Sequence, residues 1–328
     1  MPNSKPYLQA YQIQKSILQG NLATAEIIEI FKQLQSQKIS REQFLGFLRA
    51  SKDFMLALDT SQELLDVCGT GGDGFGTFNV STLVSIVCAT AGIGVAKHGN
   101  RASSGKCGGM DVLELAGLNL QASREVCEQS LVKNKLAFLF APLYHPAFRF
   151  AKEARLTYGK KTYFNFLGPL LNPAKAKYQL VGVSDTSMIE VMGPALLDSG
   201  SQRVWLINSE EGLDEASPQK STHIVSFDRG LGRQEFSIRP QDLGLKPLPL
   251  SSCISQDPQQ SLQIFWSILK NQATPAQKQM VALNTALAMT VFDGGKPQNI
   301  QQNLDLALEL LSGDLVKRKF EEVVEFCR

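Results

Sequence analysis

A chain of 328 residues with 43% apolar side chains carries enough core material for one large or two medium domains. Its 26 glycines and 14 prolines are an ordinary share and exclude collagen-like or low-complexity architecture. Against 31 acidic residues stand 33 Lys and Arg, so the net charge is only +2, which argues against a dedicated nucleic-acid binder without excluding a local basic pocket.

The six cysteines (Cys68, Cys88, Cys107, Cys127, Cys253, Cys327) form no CxxC pair, so reduced thiols are expected rather than a disulfide framework or a zinc site. None of His98, His145 and His223 lies at metal-ligand spacing from another. Met1 to Lys5 leads into a polar, Gln-rich helical stretch instead of an apolar signal region. The run Thr82–Ala96 is interrupted by Ser85, Thr90 and Gly92 and falls short of a membrane span. A cytoplasmic protein without a membrane partner is expected.

The first sixty residues read as helix. Tyr7, Ile13, Ile17 and Leu18, then Ile27, Ile28, Phe31 and Leu34, then Phe44, Phe47 and Leu48 recur at helical spacing. Ser40 with Gln43 is a capping-box start for the last stretch. Residues 1–63 are expected to form a small helical domain, completed by part of the 160–180 region.

From residue 64 the pattern alternates. Leu64–Cys68 reads as a strand entering the turn Gly69-Thr70-Gly71-Gly72-Asp73-Gly74, with a helix from about Ser81. Further strands are expected near Ile93–Lys97, Ala137–Phe140, Gln179–Val183, Val204–Ile207 and His223–Ser226. A helix is expected over Pro146–Tyr158, a Pro/Gly-punctuated hinge over Phe164–Pro173, and helix again over 275–328. Residues 64–328 therefore predict an α/β domain around a central, mostly parallel sheet.

Three stretches could carry chemistry. The glycines at 69–74 leave backbone N–H groups open to an anion, and Asn79, Ser81 and Thr82 add donors at the following helix start, where Ser81 is also an ordinary N-cap. Gly69, Gly71 and Gly74 satisfy G-x-G-x-x-G, but the helix starts late and Lys97-His98 stand where a dinucleotide site needs an acid, so a nicotinamide site is disfavoured. The loop Lys97-His98-Gly99-Asn100-Arg101-Ala102-Ser103-Ser104-Gly105-Lys106 is a second anion cradle. Glu210-Glu211-Gly212-Leu213-Asp214-Glu215 alone would read as a surface acid run. Beside two phosphate cradles it reads as a holder of Mg²⁺ against a substrate diphosphate.

In order and spacing, these motifs and Phe164–Pro173 resemble the anthranilate phosphoribosyltransferases over nearly the whole chain. The resemblance implies a fold shared with pyrimidine nucleoside phosphorylases: a small helical domain, a larger α/β domain, and substrates in the cleft between them. It implies a homodimer associating through the helical domain, with 5-phosphoribosyl 1-diphosphate and anthranilate as small-molecule partners. Carried over, Gly69, Gly72, Asp73, Thr77, Asn79, Val80, Ser81 and Thr82, with Lys97, His98, Gly99, Asn100, Arg101, Ala102, Ser103, Ser104, Gly105 and Gly109, would bind phosphoribosyl diphosphate. Gly69, Asn100 and Arg155 would bind anthranilate. Ser81 with Glu215, and Asp214 with Glu215, would hold two Mg²⁺ ions per monomer.

After Arg101 the chain departs from the family's Ser-rich run, with Gly105, Cys107, Gly109 and Met110 intervening. Cys107, next to Lys106, is expected to favour the thiolate. His98 is expected to pack rather than move a proton, and His145 stands in a segment that lines the anthranilate channel in the family. Two alternatives of the same fold stay open: a nucleoside phosphorylase, disfavoured by Asp214-Glu215, and a non-catalytic nucleic-acid binder, disfavoured by the charge balance.

Overall fold

Three amphipathic helices open the chain: α1 (Lys5–Leu18), α2 (Thr24–Gln35) and α3 (Arg41–Asp53). At the start of α3 the capping box is complete, the Ser40 hydroxyl accepting from Gln43 N–H and the Gln43 side chain from Ser40 N–H. Ile17, Ile27, Phe31, Phe44 and Phe47 bury the helices' apolar faces. The computed structural model describes residues 4–101 and 107–328.

One seven-stranded sheet follows, built from β1 (Leu65–Gly69), β2 (Val95–Gly99), β3 (Leu136–Phe140), β4 (Tyr178–Gly182), β5 (Arg203–Ser209), β6 (Thr222–Asp228) and β7 (Gly232–Ile238). Its order is β3-β2-β1-β4-β5-β6-β7, parallel from β3 to β5 and antiparallel at β6 and β7. The expected mostly parallel sheet is present. β7 was not anticipated, because Arg233, Gln234 and Glu235 are exposed on a sheet edge and leave no apolar run to read.

Further helices cover the sheet: α4 (Val80–Thr90), α5 (Gly109–Leu115), α6 (Arg124–Asn134), α7 (Ala141–Tyr144), α8 (Lys152–Tyr158), α9 (Tyr163–Leu167), α10 (Ile189–Asp198), α11 (Pro258–Leu269), α12 (Pro275–Phe292), α13 (Ile300–Leu310) and α14 (Leu315–Phe326). One core joins α4, α12 and α14 to Val67, Leu180 and Trp205 of the sheet. The other joins the N-terminal helices, α9 and α10 to Val181, Val204 and Leu206, whose side chains alternate to the opposite face.

One expectation is corrected: residues 146–158 are not one helix, since a 3₁₀ segment, Pro146–Ala151, precedes α8. The Pro/Gly-punctuated connector Phe164–Pro173 folds as α9 and a 3₁₀ turn with Phe164, Phe166, Leu167, Leu170 and Leu171 buried. Its aromatic residues belong to the core, where the neighbouring Tyr163 stacks on Phe47 with ring centroids 4.1 Å apart.

The strand order fixes where a ligand can sit. The chain leaves β1 toward β2 and β3 on one side and returns as β4 on the other, so the connections diverge at the carboxyl ends of β1 and β4. In open α/β sheets that crevice is where ligands bind. The residues paired there are Gly69 and Gly182.

Candidate active site

The turn after β1 holds four glycines in the left-handed region, at φ +67° (Gly71), +70° (Gly72), +87° (Gly74) and +71° (Gly76). Only glycine adopts this readily, and beside Gly71 and Gly74 the space a Cβ would take is open. Asp73 steadies the turn by accepting from Phe75 N–H at 3.0 Å. Thr70 braces it from below, its hydroxyl accepting from Ser184 N–H at 3.0 Å, while the Ser184 hydroxyl donates to Gly71 C=O at 2.9 Å.

Helix α4 begins at Val80, with Asn79 rather than Ser81 in the N-cap position. The Asn79 side chain does not cap. Its amide donates to Cys107 C=O at 3.1 Å, and its buried Oδ1 has no partner among the described residues. Ser81 instead lies in the first turn, where its hydroxyl accepts from Lys97 Nζ at 3.0 Å. Val80 and Thr82 are buried, and Thr82 Oγ1 stands 2.9 Å from where a Cβ on Gly109 would lie. The Val80 N–H at the start of α4 donates to Phe78 C=O at 2.7 Å; the other N–H groups of a helix's first turn have no intrahelical acceptor and suit an anion.

Lys97 reaches this floor from β2. Its buried ammonium donates to Val67 C=O at 2.9 Å as well as to Ser81, and burial lowers its pKa. Arg101, expected in the same anion cradle, is exposed and forms a two-point pair with the Glu114 carboxylate. Gly99 ends β2, and the exposed Asn100 accepts from Arg101 N–H at 2.8 Å. Ala102, Ser103, Ser104 and Gly105 lie outside the described residues.

Opposite the glycine turn stand the acids. Asp214 accepts from Gly71 N–H at 2.7 Å and its own N–H donates to Asp73 at 3.4 Å, while Glu215 accepts from the Thr77 hydroxyl at 3.0 Å. Neither acid is the exposed loop ligand that an acid run suggests; both are half-buried. Burial, and next the charge of Asp73, pushes the Asp214 carboxyl up to about 7. Burial and the charges of Asp214 and Asp73 push Glu215 well up too. Ser81, Asp214 and Glu215 line a cavity of about 10 Å³ with Gly182 and Asn284, room for a single water-sized species.

A second region begins at His98. Its ring lies 5.0 Å from that of His145, which lies 5.4 Å from Phe148, itself 5.5 Å from Phe164. Arg155 of α8 is half-buried with its guanidinium 5.4 Å from the Phe164 ring centroid, not a solvated helix-end cation. Burial holds His98 well below its ordinary pKa, with His145 and Lys97 acting in the same direction, and pushes His145 down to about 4. Both imidazoles are neutral at pH 7. This row of packed rings connects the Lys97 strand to Arg155.

Cys107 corrects another expectation: it is half-buried, and burial raises its pKa, so the thiolate is not favoured. Four residues that matter here were not anticipated. A Cβ on Gly182 would fall within bonding distance of the Asp214 carbonyl, so only glycine lets the acid loop lie on β4. Ser184 braces the glycine turn, Asn284 holds the acid loop, and Lys161 crosses over Gly72. Gly182 and Ser184 flank a strand's carboxyl end, a signal available once the strand order is known; single Asn and Lys residues give none.

Residues 61–314 match the model of the glycosyl transferase family, a/b domain. An anthranilate phosphoribosyltransferase of Geobacillus kaustophilus is 38% identical over 315 residues, 96% of this chain and 91% of that protein. The chain belongs to the anthranilate phosphoribosyltransferase family. Another anthranilate phosphoribosyltransferase, of Desulfitobacterium hafniense, is 39% identical over 92% of this chain and 88% of its own. Among solved structures, the anthranilate phosphoribosyltransferase of Thermus thermophilus superposes with a TM-score of 0.89 at 31% identity, covering 98% of this chain and 95% of that one. The Saccharomyces cerevisiae enzyme, solved with phosphoribosyl diphosphate and Mg, shares the fold at a TM-score of 0.86 and 23% identity, over 98% and 92% of the two chains.

Proposed function

We propose that this chain transfers the phosphoribosyl group of 5-phosphoribosyl 1-diphosphate to the amine of anthranilate, releasing pyrophosphate, in the synthesis of tryptophan. The observation that carries the reading is the meeting of two dissimilar groups of side chains near the carboxyl ends of β1 and β2. One is an anion cradle with three carboxylates, Asp73, Asp214 and Glu215; the other is an aromatic row ending at Arg155.

The donor set fits Mg²⁺. Asp214 and Glu215 offer hard oxygens, and their raised pKa values express the cost of holding them charged without a cation. Among the described residues no group of three or more His, Cys, Asp or Glu side chains is arranged to hold a metal alone. That suits an ion completed by substrate phosphate oxygens. Ser81, Asp214 and Glu215 would hold it, and we assign two ions per monomer. When bound, Mg²⁺ neutralises charge on the departing diphosphate.

The chain's own residues do the rest. The turn N–H groups, the start of α4 and Lys97 bind the phosphates; Gly69, Gly72, Thr77, Asn79 to Thr82, Gly99 to Arg101 and Gly109 shape the donor site, and Ala102 to Gly105 are assigned to it on the family resemblance alone. Arg155 and Asn100 orient the acceptor so that its nitrogen faces C1 of the ribose. The N–C1 bond forms as the C1–O bond breaks, the electron pair leaves with pyrophosphate, and the amine proton passes to solvent. An arylamine is neutral at pH 7 and needs no general base, and burial makes the His98 and His145 imidazoles weaker bases than usual. Pre-positioned donors around the leaving group supply the stabilisation.

We assign residues 1–63, with part of 160–180, to a helical domain, a division supported by the packing of Tyr163 on Phe47. We also assign the chain a cytoplasmic location and a homodimer formed through that domain. No described helix is long and apolar enough to cross a membrane. The direct test is loss of anthranilate fluorescence on adding enzyme, phosphoribosyl diphosphate and Mg²⁺. Loss that requires all three supports the assignment; turnover of a nucleoside with inorganic phosphate instead would replace it with a phosphorylase.

A further inference from the structure

Lys161 stands between two parts of the molecule. Gly159, at φ +66°, ends α8, and Thr162 opens α9 with its N–H donating to Asn165 at 3.0 Å. Tyr163 then anchors the segment among the N-terminal helices, stacking on Phe47 and donating its hydroxyl to Gln14 at 2.6 Å. From this anchored backbone the Lys161 side chain extends to the opposite wall. Its Nζ donates to the Ser184 hydroxyl at 3.1 Å, and its Cε lies 2.6 Å from the position of the Cβ that Gly72 lacks.

Among the described residues, the other cations near the glycine turn already make contacts within the protein. Lys97 is buried on the floor, Arg101 is paired with Glu114, and Arg155 lies over Phe164. Lys161 is exposed, and among the described residues no carboxylate lies within ion-pairing distance of it. Its neutral hydroxyl partner could be exchanged for an anion without leaving a buried charge behind. A glycine at 72 lets the aliphatic stem lie directly on the turn.

We propose that Lys161 is a donor-substrate residue: its ammonium moves from Ser184 Oγ to a diphosphate oxygen of the bound phosphoribosyl donor. The inference rests on the transferase reading above. Six residues apart, Arg155 then serves the acceptor and Lys161 the donor. Helix α8 and the segment that follows it thereby carry a contact to each substrate.

The test uses Lys161→Met, Lys161→Arg and Ser184→Ala in the full chain, with KM for each substrate and calorimetric binding of pyrophosphate in Mg²⁺. Losing a charge-assisted contact costs roughly ten- to 150-fold in binding. Lys161→Met should raise KM for phosphoribosyl diphosphate and Kd for pyrophosphate within that range. KM for anthranilate at saturating donor should stay within about twofold, with Tm unchanged. Lys161→Arg should recover most of the loss. An active wild type with unchanged donor KM and pyrophosphate Kd in Lys161→Met overturns the role. So does equal damage to both substrates matched by Ser184→Ala, which would make Lys161 a structural tie. A wild type without transferase activity, whose pyrophosphate binding still depends on Lys161, would sink the transferase reading and leave the anion contact standing.

Discussion

Asn284 grips both backbone polar groups of Ala216, accepting from its N–H at 2.8 Å and donating to its C=O at 3.0 Å. Ala216 directly follows Glu215, so a buried side chain on α12 sets the position of the acid loop. The Asn284 amide also donates to Met280 C=O within its own helix, which fixes its rotamer.

Replacing Asn284 with Leu removes the grip and leaves two buried backbone groups unpaired, at about 1–3 kcal/mol each. Turnover should fall at least about tenfold and the Mg²⁺ concentration for half-maximal rate should rise, with Tm lowered. Normal metal dependence in a folded Asn284→Leu enzyme would show that the loop holds its place without α12.

Gly69→Ala acts on the same loop from the other side. The added Cβ would stand 2.5 Å from Asp214 Oδ2, and the strand backbone at Gly69 is not in the left-handed region, so the conflict is steric rather than conformational. Pushed aside, Asp214 loses its hydrogen bond from Gly71 N–H. Steady-state kinetics should report damage to both substrates. Unimpaired kinetics would mean that the Asp214 carboxylate is free to move.

Arg155→Ala should raise KM for anthranilate by roughly ten- to 150-fold, the cost of a lost charge-assisted pair of about 1.5–3 kcal/mol, with little change for phosphoribosyl diphosphate. A guanidinium can pair a planar carboxylate through two parallel hydrogen bonds and an ammonium cannot, so Arg155→Lys should retain only part of the binding. Equal loss on both substrates would place Arg155 elsewhere in the reaction.

His145 gives a pH signature. Its folded pKa of about 4 lies below the ordinary 6.5, so the unfolded chain binds the proton more tightly. The stability is fully present above pH 6.5 and is lost as pH falls toward 4, by about 1.4 kcal/mol at pH 5.5. Asp214, pushed up to about 7, works in the opposite sense, since protonation favours its folded form. Urea midpoints of wild type and His145→Gln should therefore be compared as a difference between pH 7.5 and 5.5. The variant should lose less on acidification; parallel curves would mean that His145 is protonated in the folded state.

Much of the candidate site was legible in the sequence because its residues are concentrated in local runs. The glycine turn, Lys97-His98-Gly99-Asn100 and Asp214-Glu215 are contiguous, and their functions demand particular residue types. What escaped was set by tertiary pairing. Gly182 and Ser184 matter only because β4 lies beside β1, and Asn284 only because α12 packs under the acid loop. In Phe164–Pro173 the Pro and Gly punctuation was legible, but the burial of its apolar side chains in the core was not. Edge strand β7 hid behind a polar sequence.

Most direct is the stoichiometry of anthranilate consumed to pyrophosphate released, followed together in the wild type and in Glu215→Gln. One pyrophosphate per anthranilate is expected in the wild type, with neither reaction proceeding without the other substrate, and a severe loss of both in Glu215→Gln while the circular dichroism spectrum is retained. Pyrophosphate release that ignores anthranilate, or full coupled turnover in Glu215→Gln, would contradict phosphoribosyl transfer at this acid-lined cleft.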